Sequence, residues 1–158
     1  MKLRIVALGH RMPPWVTAGY GEYAKRLPRE YELETVELKP ASRDSGKPAA
    51  LLLAAEALRI RAACAGCSII ALDERGAAWT TRQLARRLQG WRDSAQDVAF
   101  VIGSADGLDE AVKRDASAVF ALSALTLPHG LARVILVEQL YRAVSVLQGH
   151  PYHRESLS

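Results

Sequence analysis

The sequence predicts an α/β fold with a parallel sheet, and three observations point to it. Five short apolar segments are separated by stretches with helical signals, the alternation expected of strands joined by crossover helices. Two of them, Ile69-Ile-Ala-Leu72 and Val98-Ala-Phe-Val-Ile102, are apolar without interruption, as strands covered on both faces are. The helical stretches open on Pro or Thr, and the last one closes on Gly, where helix ends favour those residues.

Taken in order, Leu3–Leu8 is the first strand, and Pro13 and Pro14 open a helix over Trp15–Leu27. Leu33–Leu38 is the second strand, followed by a polar loop over residues 40–47. Pro48 opens a helix over Ala49–Ala63, and Ser68–Asp73 is the third strand. Thr80 and Gln83 form a capping box ahead of Leu84–Trp91. The fourth strand, Val98–Gly103, runs into a glycine loop, Gly103-Ser-Ala-Asp-Gly107, and then a short turn of helix. Ala118–Ser123 is the fifth strand. Leu131–Gln148 is the last helix, with Gly149 and Pro151 as its stop.

A chain of 158 residues is long enough to bury a core, and one domain over residues 1–158 is expected. No apolar run reaches the roughly 18 residues of a membrane span. The apolar stretch after Met1 is too short for a signal peptide, so the expected location is the cytoplasm. Arginine dominates a net charge of +4, which suits a phosphate-bearing partner without demanding one. Cys64 and Cys67 lie at a helix end leading into a strand. That is the wrong polarity for a reactive Cys-x-x-Cys, and no second pair completes a metal site; they are read as structural thiols.

The first strand ends Ala7-Leu-Gly-His10, without the glycine fingerprint of a dinucleotide site, and no phosphate-loop motif occurs. In a parallel sheet the ligand crevice lies beyond the strand carboxyl ends, which selects Leu72, Gly103 and Leu122 to Leu127. A lone glycine loop is also what a tight turn looks like. The run Leu122-Ser-Ala-Leu-Thr-Leu-Pro-His129 is more informative: small residues, hydroxyls and a proline between strand and helix leave backbone groups free to hold a ligand. A tail reading His150-Pro-Tyr-His-Arg154 supplies groups suited to an anionic partner.

These segments, with Met12-Pro-Pro-Trp-Val16, Arg133, Val137-Glu-Gln-Leu-Tyr-Arg-Ala143 and the tail through Glu155, resemble the SPOUT class of methyltransferases along essentially the whole chain. The likeness is greatest to small bacterial members that act on ribosomal RNA. It implies a parallel-sheet α/β/α sandwich with a C-terminal deep trefoil knot, and S-adenosyl-L-methionine as cofactor. The cofactor would be held by Leu72, Gly103, Leu122, Ser123, Ala124, Leu125, Thr126 and Leu127. It further implies a homodimer whose site is completed at the subunit interface, no metal, and methylation of N3 of a pseudouridine in 23S rRNA within the ribosome. One residue departs from the pattern: the family's glycine loop commonly begins Gly-Gly, and here Ser104 takes the second place, followed by Ala105 and Asp106, which removes permissive backbone angles.

Methyl transfer needs donor and acceptor aligned and the imide proton removed. The candidate catalytic residues are His153 as proton acceptor, Arg154 as the cation stabilising the resulting anion, and Tyr152 against the base. Arg142, His129, Trp15 and Arg11 are candidate substrate contacts. Each also has a plainer reading: Arg142 pairs with Glu138 one helical turn away, His129 caps the last helix, and Trp15 staples the first. Arg11, with His10, would touch phosphate. The alternative to an rRNA enzyme is a noncatalytic RNA- or ribosome-binding assembly factor on the same fold, or a methyltransferase for another RNA base.

Overall fold

The computed structural model describes residues 1–154. Five strands, β1 (Leu3–Leu8), β2 (Glu34–Leu38), β3 (Ser68–Ala77), β4 (Val98–Ile102) and β5 (Ala118–Phe120), form one parallel sheet in the order β2-β1-β4-β3-β5. Helices α1 (Pro14–Ala24), α3 (Thr81–Asp93) and α5 (His129–Gln148) cover one face; α2 (Ala49–Ala63) and α4 (Glu110–Asp115) cover the other. Strand alternation divides the core accordingly. Leu3, Ile5, Val98, Phe100 and Ile102 pack under α3 and α5, while Val6, Leu8, Ala99 and Val101 pack under α2 and α4. All five residues of β4 are buried, as its unbroken apolar sequence predicts.

The capping box of α3 is formed: Gln83 N–H donates to Thr80 Oγ1 at 3.1 Å, and Thr80 N–H to Gln83 Oε1 at 2.8 Å. At the end of α5, Gly149 takes φ +67°, and the following amide returns to Ser145 O at 2.9 Å. Several boundaries differ from the sequence expectation. Helix α1 stops at Ala24, and α5 starts two residues earlier than expected, at His129, because Pro128 takes the N-cap position. Strand β3 runs on to Ala77 where a stop at Asp73 is expected, and its pairing with β5 is interrupted between Leu72 and Ala77. Gly76 permits that continuation, since a Cβ there would lie 2.7 Å from the Val119 carbonyl. Strand β5 stops at Phe120, which leaves residues 121–128 to loop across the strand ends. Cys64 and Cys67 are free, and burial pushes the Cys64 thiol up to about 11, so it stays protonated.

Candidate functional site

Beyond the carboxyl ends of β1, β3, β4 and β5 lies a cleft of about 990 Å³. Its walls are the β1 loop (Gly9, His10, Met12), the start of the β3 extension (Leu72–Arg75), the glycine loop 103–107, and the segment from Leu122 to His129. This volume lies at the upper end of the roughly 300–1,000 Å³ typical of small-molecule and cofactor sites.

The loop 121–128 is pinned at few points. Leu125 N–H donates to Ser123 Oγ at 2.9 Å, and the Thr126 hydroxyl donates to Glu74. Among the described residues, the backbone amides of the cleft-lining Leu122, Thr126 and Leu127 have no protein partner, so they are available to a ligand. Gly103 is required for a different reason from Gly76: a Cβ there would meet Gly107 O at 2.5 Å and drive the two ends of the glycine loop apart. Asp73, on the cleft wall, is held by Lys113 at 2.9 Å. Burial alone would raise its pKa, but the Arg75 amide and the Lys113 ammonium outweigh it and hold the carboxyl at about 2.

The buried side chain of Arg133 ties the cleft floor together. It donates to Gly9 O (2.8 Å), to Glu37 (2.6 Å) and, through Nε, to His129 Nε2 (2.9 Å). Because Nε2 of His129 accepts, Nδ1 carries the proton and donates to Gly103 O at 2.8 Å. Burial lowers the His129 pKa, and the Arg133 cation adds to the effect against the opposing bond to Gly103. His129 is therefore a neutral strut between α5 and the glycine loop. It is not the helix cap expected from sequence, since its side chain bonds no amide of the first turn.

A second network braces the opposite wall. Glu56 on α2, 1% exposed, accepts from the Ala41 amide (2.8 Å), from Arg43 (2.7 Å) and from the Ser104 hydroxyl (3.0 Å). Arg43 also reaches Ser104 Oγ at 2.8 Å and Asp106 at 2.9 Å. Ser104, the residue that departs from the family's double glycine, thus anchors the glycine loop to the 40–47 segment. Sequence reasoning missed Arg43 and Glu56. A signal was present, because Glu56 lies four residues from both Leu52 and Ile60, on the buried stripe of α2.

Of the expected cofactor residues, Leu72, Gly103, Leu122, Ser123, Thr126 and Leu127 line the cleft. Ala124 and Leu125 do not, and Leu125 is 74% exposed. Of the expected substrate contacts only His129 lines it. Trp15 is 57% exposed on the first turn of α1, so it is not buried as a staple; Arg11, at φ +55°, is exposed beside His10. Arg142 makes the intrahelical pair with Glu138 at 2.7 Å.

The tail lies elsewhere. Residues Pro151–Arg154 form a 3-10 turn packed on the C-terminal half of α5, outside the cleft of the same chain. The Tyr152 hydroxyl donates to Glu138 at 2.9 Å, its ring sits 4.6 Å from that of Tyr141, and Arg142 and Arg26 lie over it. Burial and the Glu138 carboxylate push the Tyr152 phenol above its ordinary value. His153 Nδ1 is shielded from solvent and has no hydrogen-bond partner among the described residues. Glu155 lies outside the described residues.

Comparison with known proteins adds to this geometry. Residues 1–153 match the family described as "Predicted SPOUT methyltransferase". The chain is 56% identical over 155 residues to the "Ribosomal RNA large subunit methyltransferase H" of Nitrosospira multiformis, and 54% identical to the protein of that name in Burkholderia multivorans. Each alignment covers 98% of this chain and 99% of the relative. Among solved structures, a putative methylase family protein from Neisseria gonorrhoeae superposes with TM-score 0.59 at 16% identity, covering 98% of this chain and 95% of that one. A tRNA (m1G37) methyltransferase from Aquifex aeolicus superposes with TM-score 0.52 at 15% identity, covering 89% and 70%. At such identities the two structures speak to the fold alone.

Proposed function

This chain belongs to the SPOUT methyltransferase family, and we propose that it transfers the methyl group of S-adenosyl-L-methionine to N3 of a pseudouridine in 23S rRNA, as a cytoplasmic homodimer acting on assembled ribosomes. The observation that carries this reading is the convergence of the glycine loop and the Leu122–Leu127 segment on one cleft, the segment's amides open and its walls apolar at Leu72, Leu122 and Leu127. That donor set suits a nucleoside cofactor: backbone amides and carbonyls for the polar edge of a purine, leucines for its faces, and Asp73 and Glu74 for a cationic centre. When bound there, the cofactor supplies a sulfonium methyl group.

What the protein must add is alignment, exclusion of water and management of one proton. Arg133 and His129 fix the floor on which the glycine loop rests, and Glu56 and Arg43 fix its side. His153 accepts the N3 proton, Arg154 offsets the charge left on the base, and Tyr152 orients it. Within one chain these groups lie on the far half of α5, so the tail that serves a cleft comes from the second subunit. Two features support that arrangement. Trp15 and Leu125, both exposed, flank cleft-lining Met12 and Thr126 and give a partner apolar surface to cover. The shielded, unpaired His153 Nδ1 awaits a group that the described residues do not supply. The knot that family membership implies would hold the 121–128 loop rigid without many hydrogen bonds.

Purified protein incubated with S-adenosylmethionine and ribosomes lacking the modification is expected to place one methyl group on a large-subunit pseudouridine, read by mass spectrometry of rRNA fragments. Absence of transfer, with active controls, would sink the reading.

A further inference from the structure

The N-terminal half of α3 breaks a local rule without structural compensation. From Thr81 to Gly90 the helix contains three arginines, Arg82, Arg86 and Arg87, and no acid. Cations at a helix N-terminus oppose the backbone dipole, which favours negative charge there. Several surface arginines elsewhere are neutralised, Arg26 by Glu22, Arg61 by Asp115 and Arg92 by Glu30. Arg11, Arg29, Arg59 and Arg114 have no carboxylate partner among the described residues but are not gathered on one helix face. Arg82 and Arg86 have no carboxylate or other hydrogen-bond partner among the described residues, and all three side chains are exposed.

Arg87 is held in place by an aromatic stack. Its guanidinium carbon lies 4.0 Å from the centroid of the Trp79 ring, and the Phe120 ring lies 4.5 Å from it at an interplanar angle of 17°. Two groups this close to one centroid occupy opposite faces, so Trp79 is covered and its role is to position the arginine. Phe120 in turn forms part of the cleft wall, which makes the stack a continuous bridge from the cleft to the surface of α3. The hollow beside it, lined by Trp79, Gln83, Arg86 and Arg87, measures about 290 Å³, at or below the smallest pockets usual for metabolites (about 300 Å³).

We propose that the Arg82–Arg86–Arg87 face of α3, set by Trp79, is a docking ledge for the phosphate backbone of the substrate RNA next to the base that enters the cleft. The proposal rests on the methyltransferase reading. A planar guanidinium held by a stack is prepared for a bidentate phosphate contact, with little freedom left to lose on binding. An unpaired cationic row also attracts a polyanion at long range. The ledge carries affinity and register and leaves the chemistry to the cleft and tail.

The test compares the wild-type protein with the triple variants Arg82→Gln/Arg86→Gln/Arg87→Gln and Arg82→Lys/Arg86→Lys/Arg87→Lys, on ribosomes and on protein-free 23S rRNA over a range of salt. The glutamine variant is expected to keep its thermal unfolding and S-adenosylmethionine affinity. Its KM for ribosomes should rise at least tenfold with kcat retained, and its plot of log affinity against log salt should flatten by about 0.7–0.9 for each phosphate no longer neutralised. The lysine variant should keep the wild-type slope. An unchanged slope and KM in the glutamine variant overturns the ledge while leaving the methyltransferase reading intact. A glutamine variant whose KM for ribosomes rises while its salt slope stays at the wild-type value also overturns it, marking a protein contact instead. Conversely, wild-type protein that fails to methylate yet binds rRNA with an arginine-dependent slope sinks the reaction and keeps the ledge.

Discussion

At its N-terminal end α5 sits in a finished polar framework, with His129 braced between Arg133 and the glycine loop and Arg133 saturated by Gly9, Glu37 and His129. At its C-terminal end, roughly 20 Å along the axis, the same helix presents Glu138, Tyr141 and Arg142 to a tail whose His153 Nδ1 has no hydrogen-bond partner among the described residues. The first end is complete within one chain. The second is a surface of cations and aromatic rings with no cleft of its own. On the proposed reading, the contrast makes the cofactor half of the site a product of folding and the acceptor half a product of assembly, and each should fail differently when altered.

The largest effect expected is on the assembly half. His153→Ala should lower methyl transfer by about 100-fold or more while S-adenosylmethionine affinity, read by calorimetry, stays within about twofold; equal loss of both would make His153 a structural residue. Mixing subunits sharpens the point. A His153→Ala chain and a Gly103→Val chain, each inactive alone, should together recover about a quarter of wild-type activity if subunits pair at random and the tail serves the partner's cleft. No recovery would place the tail on its own cleft.

Next in size is the floor of the folding half. Arg133→Met should leave the Gly9 carbonyl and the His129 nitrogen without a donor and cost about 3 kcal/mol in urea unfolding. Gly103→Ala should weaken cofactor binding about tenfold, the equivalent of roughly 1.4 kcal/mol, because the added Cβ cannot coexist with Gly107 O. A variant that binds normally would show the loop to be freer than its geometry requires. Smaller still is the pH effect of His129. Its folded-state pKa lies below the ordinary 6.5, so in the window beneath that value the unfolded chain binds more protons. The His129 contribution to stability is therefore complete above about pH 6.5 and declines as the pH falls below it. His129→Gln should flatten that part of the profile.

Much of the fold was legible because it rests on local rules. The unbroken apolar run of β4 gives a doubly covered strand. Thr80 and Gln83 give a helix start, and Gly149 gives its end. The boundaries that differ were set by neighbours: β3 continues to Ala77 because Gly76 can pass beneath Val119, a contact between segments more than forty residues apart. In the site, the 122–129 run pointed to a loop that does border the cleft. No local pattern marks Ala124 and Leu125 as absent from its lining while their neighbours are part of it.

By itself, then, the sequence determined the order of strands and helices and the crevice at their carboxyl ends, because periodicity, caps and short motifs are encoded over a few residues. The class of chemistry came with its resemblance to the SPOUT family. Only the tertiary structure decided that His129 is a neutral strut instead of a cap, that Glu56, Arg43 and Ser104 form one brace, and that the tail lies outside the cleft of its own chain. Those outcomes depend on which polar groups meet across 13 to 124 residues of chain. The cost of burying such groups without partners fixes them in place, and no local pattern records it.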